Sequence, residues 1–136
     1  MIRPALLAAL LAAPASAATL DVRVEGVAND EGTLLVAVCD RASFLRRRCP
    51  YARRAPAAPG EARLRFDDLA PGLYAVQAIH DENDNRDLDR SLLGRPKEGF
   101  GFSNDAPMRF GPPRFEDAAV AVGPEGAEAR LRLRYE

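Results

Sequence analysis

Oxygen-bearing side chains recur at short spacing in residues 79–89, which read IHDENDNRDLD. Counted from Asp81, a carboxylate or carboxamide stands at every second position. Ca²⁺ accepts six to eight oxygen ligands, and the loops that bind it place such side chains at alternate positions. The spacing therefore predicts a weak, loop-ordering Ca²⁺ site, and no other cofactor is expected. Its candidate ligands are Asp81, Asn83, Asn85, Asp87 and Asp89.

Two positions depart from a complete calcium loop. Position 6 is Arg86, where the sharp turn favours glycine, and position 12 is Leu92, where a bidentate glutamate normally binds. A solvated turn, in which Asp and Asn bond their own backbone, gives the same pattern. If the site forms, we expect the missing oxygens to come from downstream acidic residues, namely Glu98, Asp105, Glu116 or Asp117.

His80, the single histidine, ends the apolar run that precedes this loop. A lone histidine in such a place is usually a hydrogen-bonding residue at the edge of the core. The alternative is acid–base catalysis with a carboxylate such as Asp81 or Glu116, which requires an oriented partner. That alternative describes a small transthyretin-like hydrolase or lyase. It predicts a cleft where His80, a carboxylate and Arg86 or Arg95 converge.

Alternating apolar and polar residues indicate that β-strands carry these side chains. The expected strands cover residues 20–25, 33–39, 63–67, 73–79, 118–122 and 129–136, with EGFGF at 98–102 as a seventh. No long amphipathic helix is indicated. Short strands separated by Gly and Pro turns predict an all-β fold, an antiparallel seven-stranded Greek-key β-sandwich. Residues 40–60 and 81–115 are otherwise assigned to loops.

Three polar or aromatic features each have two interpretations. The arginine row of the last strand, Arg130, Arg132 and Arg134, is either the solvated face of an edge strand or a stripe for an anionic ligand. The arginine-rich segment 41–54 is either a solvated loop or a site for an anionic glycan or lipid headgroup. The phenylalanines of residues 98–115 either present rings to a ligand or form a satellite cluster under the long loop.

The first residues have the pattern of a secretory signal peptide. Arg3 provides a positive start, residues 5–13 are apolar, and small residues occupy 15–17. Cleavage is expected after Ala17 or Ala18. The apolar run is too short to span a membrane, so export to the periplasm or beyond is expected.

Removal of residues 1–17 leaves one domain, residues 18–136, with no transmembrane span. The full chain has 19 basic and 20 acidic residues and a net charge of −1. This balance does not favour nucleic acid as a partner. The two cysteines, Cys39 and Cys49, are expected to form a disulfide in an oxidising compartment.

Three segments together resemble a known family. They are DLAPGLYAVQAIHDENDNRDLD (68–89), LGRPKEGFGFSNDA (93–106) and FGPPRFEDA (110–118). In this order they resemble the small exported bacterial proteins known as domain of unknown function number 2141. The resemblance implies a prealbumin-like or immunoglobulin-like sandwich in the cell envelope. It also implies a signature surface within 80–118, represented by His80, Glu98, Asn104, Glu116 and Asp117.

We therefore predict an exported, non-catalytic β-sandwich that acts as a binding or structural module of the cell envelope. We expect a monomer with an envelope protein or a glycan as its partner. The hydrolase or lyase described above is the alternative, and no catalytic residue is assigned in the favoured interpretation.

Overall fold

The structure, a computed structural model, describes residues 4–5, 17–46, 48–83 and 98–135. It contains a short 3-10 helix, Ser103–Asp105, and one turn of α-helix, α1 (Phe115–Ala118). No helix within the described residues is long and apolar enough to cross a membrane. The eight strands are β1 (Ala18–Val27), β2 (Thr33–Cys39), β3 (Tyr51–Pro56), β4 (Gly60–Leu69), β5 (Gly72–Asp81), β6 (Gly99–Phe102), β7 (Ala119–Val122) and β8 (Ala127–Arg132).

The strands form two sheets. One has the order β4-β1-β8, and the other has the order β3-β2-β5-β6 with β7 also paired to β5. The prediction of an all-β fold is confirmed, but the described residues form eight strands rather than seven. The expectation of purely antiparallel pairing is also wrong, because β1 and β8 run parallel. The Greek-key order and the prealbumin-like or immunoglobulin-like class stay predictions.

Strand β3 replaces part of the loop that the sequence predicts for residues 40–60. Tyr51 and Ala55 are half-buried and pack against the core, while Arg53 and Arg54 are exposed. The Arg53 guanidinium donates a hydrogen bond to the Arg65 carbonyl of β4, in the other sheet. Arginines occupy the middle of this edge strand, so the apolar alternation that identifies a strand is missing.

The two sheets pack their apolar faces over a common core. Leu20, Val22 and Val24 of β1 are fully buried at alternate positions, and Val36 and Val76 face them from the second sheet. Burial of one such side chain stabilises the fold by about 1.5–3 kcal/mol. The period-2 pattern therefore predicts the core face correctly.

One edge of β5 is shared by two short strands. β7 pairs with Gly72–Ala75, and β6 pairs with Gln77–His80. Val76 lies at the gap between them. The residues that join β6 to β7 must therefore close this gap, and they include the 3-10 helix and α1.

The cysteines form the expected disulfide, Cys39–Cys49, with their Cα atoms 4.7 Å apart. It links the end of β2 to the segment just before β3. By the chain-entropy model a loop of this length contributes about 3 kcal/mol.

Candidate functional site

His80 is fully buried at the end of β5, and both of its ring nitrogens are engaged. Nε2 lies 2.6 Å from the Glu31 carbonyl oxygen, and Nδ1 lies 2.8 Å from the Tyr135 hydroxyl. The same hydroxyl accepts a hydrogen bond from the Ala28 backbone N–H at 3.1 Å. His80 thus joins β5 to the turn after β1 and to the end of the chain.

The partners assign the tautomer of this ring. A carbonyl oxygen only accepts, so Nε2 carries a hydrogen, and in the neutral ring Nδ1 then accepts from the Tyr135 hydroxyl. Burial raises the pKa of Tyr135, which keeps its hydroxyl protonated. The Glu82 carboxylate is 4.0 Å from Nδ1, beyond hydrogen-bond distance. Both nitrogens of His80 are therefore hydrogen-bonded within the fold. Arg86 and Arg95, which the catalytic alternative requires, lie outside the described residues.

Two acidic residues near His80, Asp81 at the end of β5 and Glu98 just before β6, are buried. The antiparallel ladder ends at the His80–Gly99 pair, and its register continued by one residue places Asp81 opposite Glu98. Opposed residues project from the same face, which here is the face away from His80. Each of these carboxylates makes contacts within the fold.

The predicted metal ligands are only partly covered by the structure. Asn83 is described and exposed, just beyond the end of β5. The described residues contain no cluster of three or more histidine, cysteine or acidic side chains that could hold a metal ion. The other three predicted ligands, Asn85, Asp87 and Asp89, lie outside the described residues.

Ser103 closes the gap on β5, and the sequence gives no direct signal for this role. Its fully buried hydroxyl accepts a hydrogen bond from the Val76 N–H at 2.9 Å and donates one to the Ala118 carbonyl. A serine side chain here replaces the backbone partner that a continuous strand would supply. Ser103 therefore joins β5, β6 and the end of α1.

Asn104 extends the junction around Ser103, where β5, β6 and the end of α1 meet. Its backbone adopts a left-handed conformation, φ 60° and ψ 15°, which asparagine tolerates better than most residues. Its side-chain amide donates to the carbonyls of Asp117 and Ala119, at 3.3 and 3.0 Å. The next residue, Asp105, accepts the Arg132 backbone N–H at 2.9 Å and so caps the outer edge of β8.

The disulfide loop docks onto the same junction. The Arg41 guanidinium forms an ion pair with Glu116 and lies 4.7 Å above the centre of the Phe115 ring. Phe44 packs edge-on against Phe115 and Phe102, with ring centres 5.8 and 6.0 Å apart. The hydrogen bond from Arg41 holds the pKa of the Glu116 carboxyl below its usual range.

The signature residues thus fall into separate places. Asn104, Glu116 and Asp117 surround the junction, and Asp117 also lies 3.4 Å from Arg114. His80 faces the interior, whereas Glu98 lies at the opposite end of β6 from Asn104. Part of the phenylalanine-rich segment forms the expected satellite cluster, through Phe102 and Phe115.

A groove lies where β6 meets the end of the chain. Phe100 and Arg134 pair through two backbone hydrogen bonds, of 3.1 and 2.9 Å, which link the two sheets. The groove beside this bridge has a volume of about 360 Å³. Its lining includes Phe100, Phe102, Met108, Arg132, Arg134 and Tyr135. The sequence does not predict it, since the two strands that form it are distant in the chain.

A family model described as "Uncharacterized protein conserved in bacteria (DUF2141)" matches residues 22–130. The chain belongs to this family. The resemblance found from the sequence is therefore confirmed, and the match includes Ser103, Asn104 and Asp105 of the junction, while Tyr135 lies beyond it. No curated protein and no solved structure matches the chain.

Proposed function

We propose that this protein is an exported, non-catalytic module of the bacterial cell envelope, and that Ca²⁺ orders the end of its β5–β6 hairpin. The observation that carries the calcium proposal is the burial of two carboxylates, Asp81 and Glu98, one residue beyond the last pair of the β5–β6 ladder. Like charges in directly opposed positions destabilise a sheet unless a positive charge or a proton compensates them.

Calcium suits this position because its preferred ligands are carboxylate, carboxamide and carbonyl oxygens. Asp81 also begins the alternating series that continues through Asn83, and Glu98 is one of the downstream residues expected to complete the shell. Extracellular calcium modules bind with dissociation constants on the order of 10⁻⁴ to 10⁻³ M. The proposed site belongs to this weak class, because its loop lacks the glycine and the bidentate glutamate of tight sites.

Thermal unfolding with and without Ca²⁺ tests this proposal. At about 10 mM Ca²⁺, a site of this class stabilises the fold by about 1.4–2.7 kcal/mol. Glu98→Gln removes the charge of one proposed ligand, so it should abolish the Ca²⁺-dependent shift. Glu125→Gln, at an exposed turn carboxylate, is the matched control and should keep the wild-type response.

An arginine of the chain is the competing source of positive charge for the two carboxylates. In that case Glu98→Gln would lower the melting temperature in EDTA, and Ca²⁺ would shift neither protein. This result would contradict the calcium proposal and leave the remainder of the function intact.

The start of β1 supports export with cleavage after Ala17. Ala18 is fully buried and pairs with Leu69, so cleavage one residue later would remove part of the sheet. The Cys39–Cys49 disulfide also suits an oxidising compartment. Intact-mass measurement of the protein from a periplasmic fraction should give a chain that begins at Ala18 and is lighter by two hydrogens than its reduced form.

The geometry of His80 supports a non-catalytic role, because both ring nitrogens already have hydrogen-bond partners in the interior. A binding role leaves the junction and the groove as surfaces for a partner. We propose a monomer that engages an envelope protein or a glycan.

A further inference from the structure

We propose that the groove beside the Phe100–Arg134 bridge binds a single-chain anionic amphiphile, a carboxylate carried on an apolar chain. This proposal goes beyond the calcium-ordered module and does not depend on it. The groove's volume of about 360 Å³ falls in the range of small-molecule sites, about 300–1,000 Å³.

The register explains why aromatic rings and guanidinium groups line the same groove. Phe100 and Arg134 are directly opposed, so their side chains project from the same face. Two residues further along each strand, Phe102 and Arg132 occupy the same face. Gly99 and Gly101 alternate with the phenylalanines and lie against Tyr135 and the Arg132 carbonyl instead.

The charge of the groove favours one anionic headgroup. Arg132 has a carboxylate of its own, since its guanidinium lies 3.6 Å from Glu25. Arg134 is exposed and takes part in none of the ion pairs formed between described residues. Asp105 lies in the lining as well and accepts the Arg132 N–H. A carboxylate beside Arg134, away from Asp105, is therefore the favoured position.

The apolar part of the ligand has a matching surface. Met108 is 41% exposed at the side of the groove, and Phe100 is half-buried beside it. Phe110, two residues after Met108 in the segment between the 3-10 helix and α1, is fully exposed. An alkyl chain that covers Phe100 and Met108 would remove this apolar surface from water, which is favourable in proportion to the area covered.

Two other classes of ligand fit less well. A peptide that adds to a sheet needs free backbone groups, but the Phe100 and Arg134 groups bond each other and the Arg132 N–H is bonded to Asp105. A neutral sugar needs both donors and acceptors, whereas the exposed polar groups here are mainly guanidinium donors. A carboxylate matches these donors directly.

Calorimetric titration with decanoate, below its micelle concentration and in EDTA, tests the proposal. Decanol has the same chain without the charge, and acetate has the charge without the chain. Decanoate should bind at least about tenfold more tightly than decanol, because a hydrogen bond to a charged group contributes about that factor. It should also bind more tightly than acetate, because acetate lacks the chain that covers the apolar surface. Equal binding of decanoate and decanol would overturn the proposal.

Variants locate the site. Arg134→Gln should weaken decanoate binding about tenfold and leave decanol unchanged, and Met108→Gln should weaken both ligands. Arg130→Gln is the matched control, since Arg130 belongs to the same arginine row but lies outside the groove. An equal loss in Arg130→Gln and Arg134→Gln would mean a general charge effect and would overturn the proposal.

Vesicles distinguish the free amphiphile from a lipid surface. The protein should not float with vesicles of phosphatidylcholine and phosphatidylglycerol in a 3:1 ratio. Flotation without binding of free decanoate would show that the exposed loop docks on a membrane, and the amphiphile site would be wrong.

Discussion

Replacing Gly99 with alanine should disrupt its contact with Tyr135, which holds the end of the chain against the sheet. A Cβ atom at Gly99 would lie 2.4 and 2.5 Å from two carbons of the Tyr135 ring, closer than such atoms approach in proteins. The ring must therefore move, and its hydroxyl would leave His80 and the Ala28 N–H.

The magnitude follows from these losses. Overpacking of this kind costs about 1–3 kcal/mol, and each lost hydrogen bond costs about 1 kcal/mol. The lower backbone entropy of the unfolded alanine chain offsets this by roughly 0.5 kcal/mol. We expect a net destabilisation of about 2.5–4.5 kcal/mol, measured by urea unfolding monitored by circular dichroism.

Two further variants separate the clash from other effects. Gly72→Ala is the matched control, because its Cβ would meet only a Tyr74 ring carbon at 3.8 Å; it should change stability by less than about 0.5 kcal/mol. In a Tyr135→Ala background, Gly99→Ala should lose most of its effect. An equal cost in both backgrounds would refute the proposed clash.

Three other predictions concern the junction and the disulfide loop. Ser103→Ala leaves the buried Val76 N–H and Ala118 carbonyl without this hydroxyl, so the free energy of unfolding should fall by about 1–3 kcal/mol in the same urea assay; a change below about 0.5 kcal/mol would contradict the role of Ser103. The pKa of Glu116 is lowered in the fold, so its contribution is present above the unfolded value of 4.5 and is lost as pH falls through the folded value. Arg41→Ala should therefore reduce the loss of stability on acidification below that pH, whereas an unchanged pH profile would mean that the ion pair has no effect. Reduction of Cys39–Cys49 should lower the unfolding free energy by about 3 kcal/mol, measured in urea with and without reductant, and an unchanged midpoint would contradict it.

The local patterns of the sequence predict much of this fold. Alternation identifies β1, because a half-buried strand places apolar residues on one face. The short apolar runs 33–39 and 73–79 identify β2 and β5, and EGFGF correctly predicts β6. The disulfide follows from two cysteines in a chain with a signal-peptide pattern. In contrast, β3 is hidden by Arg53 and Arg54, which replace the apolar alternation on an edge strand.

The features that the sequence does not predict depend on pairing between distant residues. The parallel pairing of β1 with β8 joins the first and last strands, and no local pattern encodes it. Ser103 is only a serine in a loop until β6 and β7 are placed on the same edge of β5. The groove likewise requires the bridge between Phe100 and Arg134.

The proposed pairing of Asp81 with Glu98 uses both the local sequence pattern and the strand register. The sequence identifies Asp81 as the first oxygen ligand and Glu98 as one of several candidates to complete the shell. The register favours Glu98 among them, because its continuation beyond the His80–Gly99 pair places that residue across from Asp81.

Isothermal titration of the wild-type protein and Glu98→Gln with Ca²⁺ tests this central claim most directly. We predict one binding event in the wild type with a dissociation constant on the order of 10⁻⁴ to 10⁻³ M, and none in Glu98→Gln. The absence of binding heat in the wild type at several multiples of that concentration, or equal binding in the variant, would contradict it.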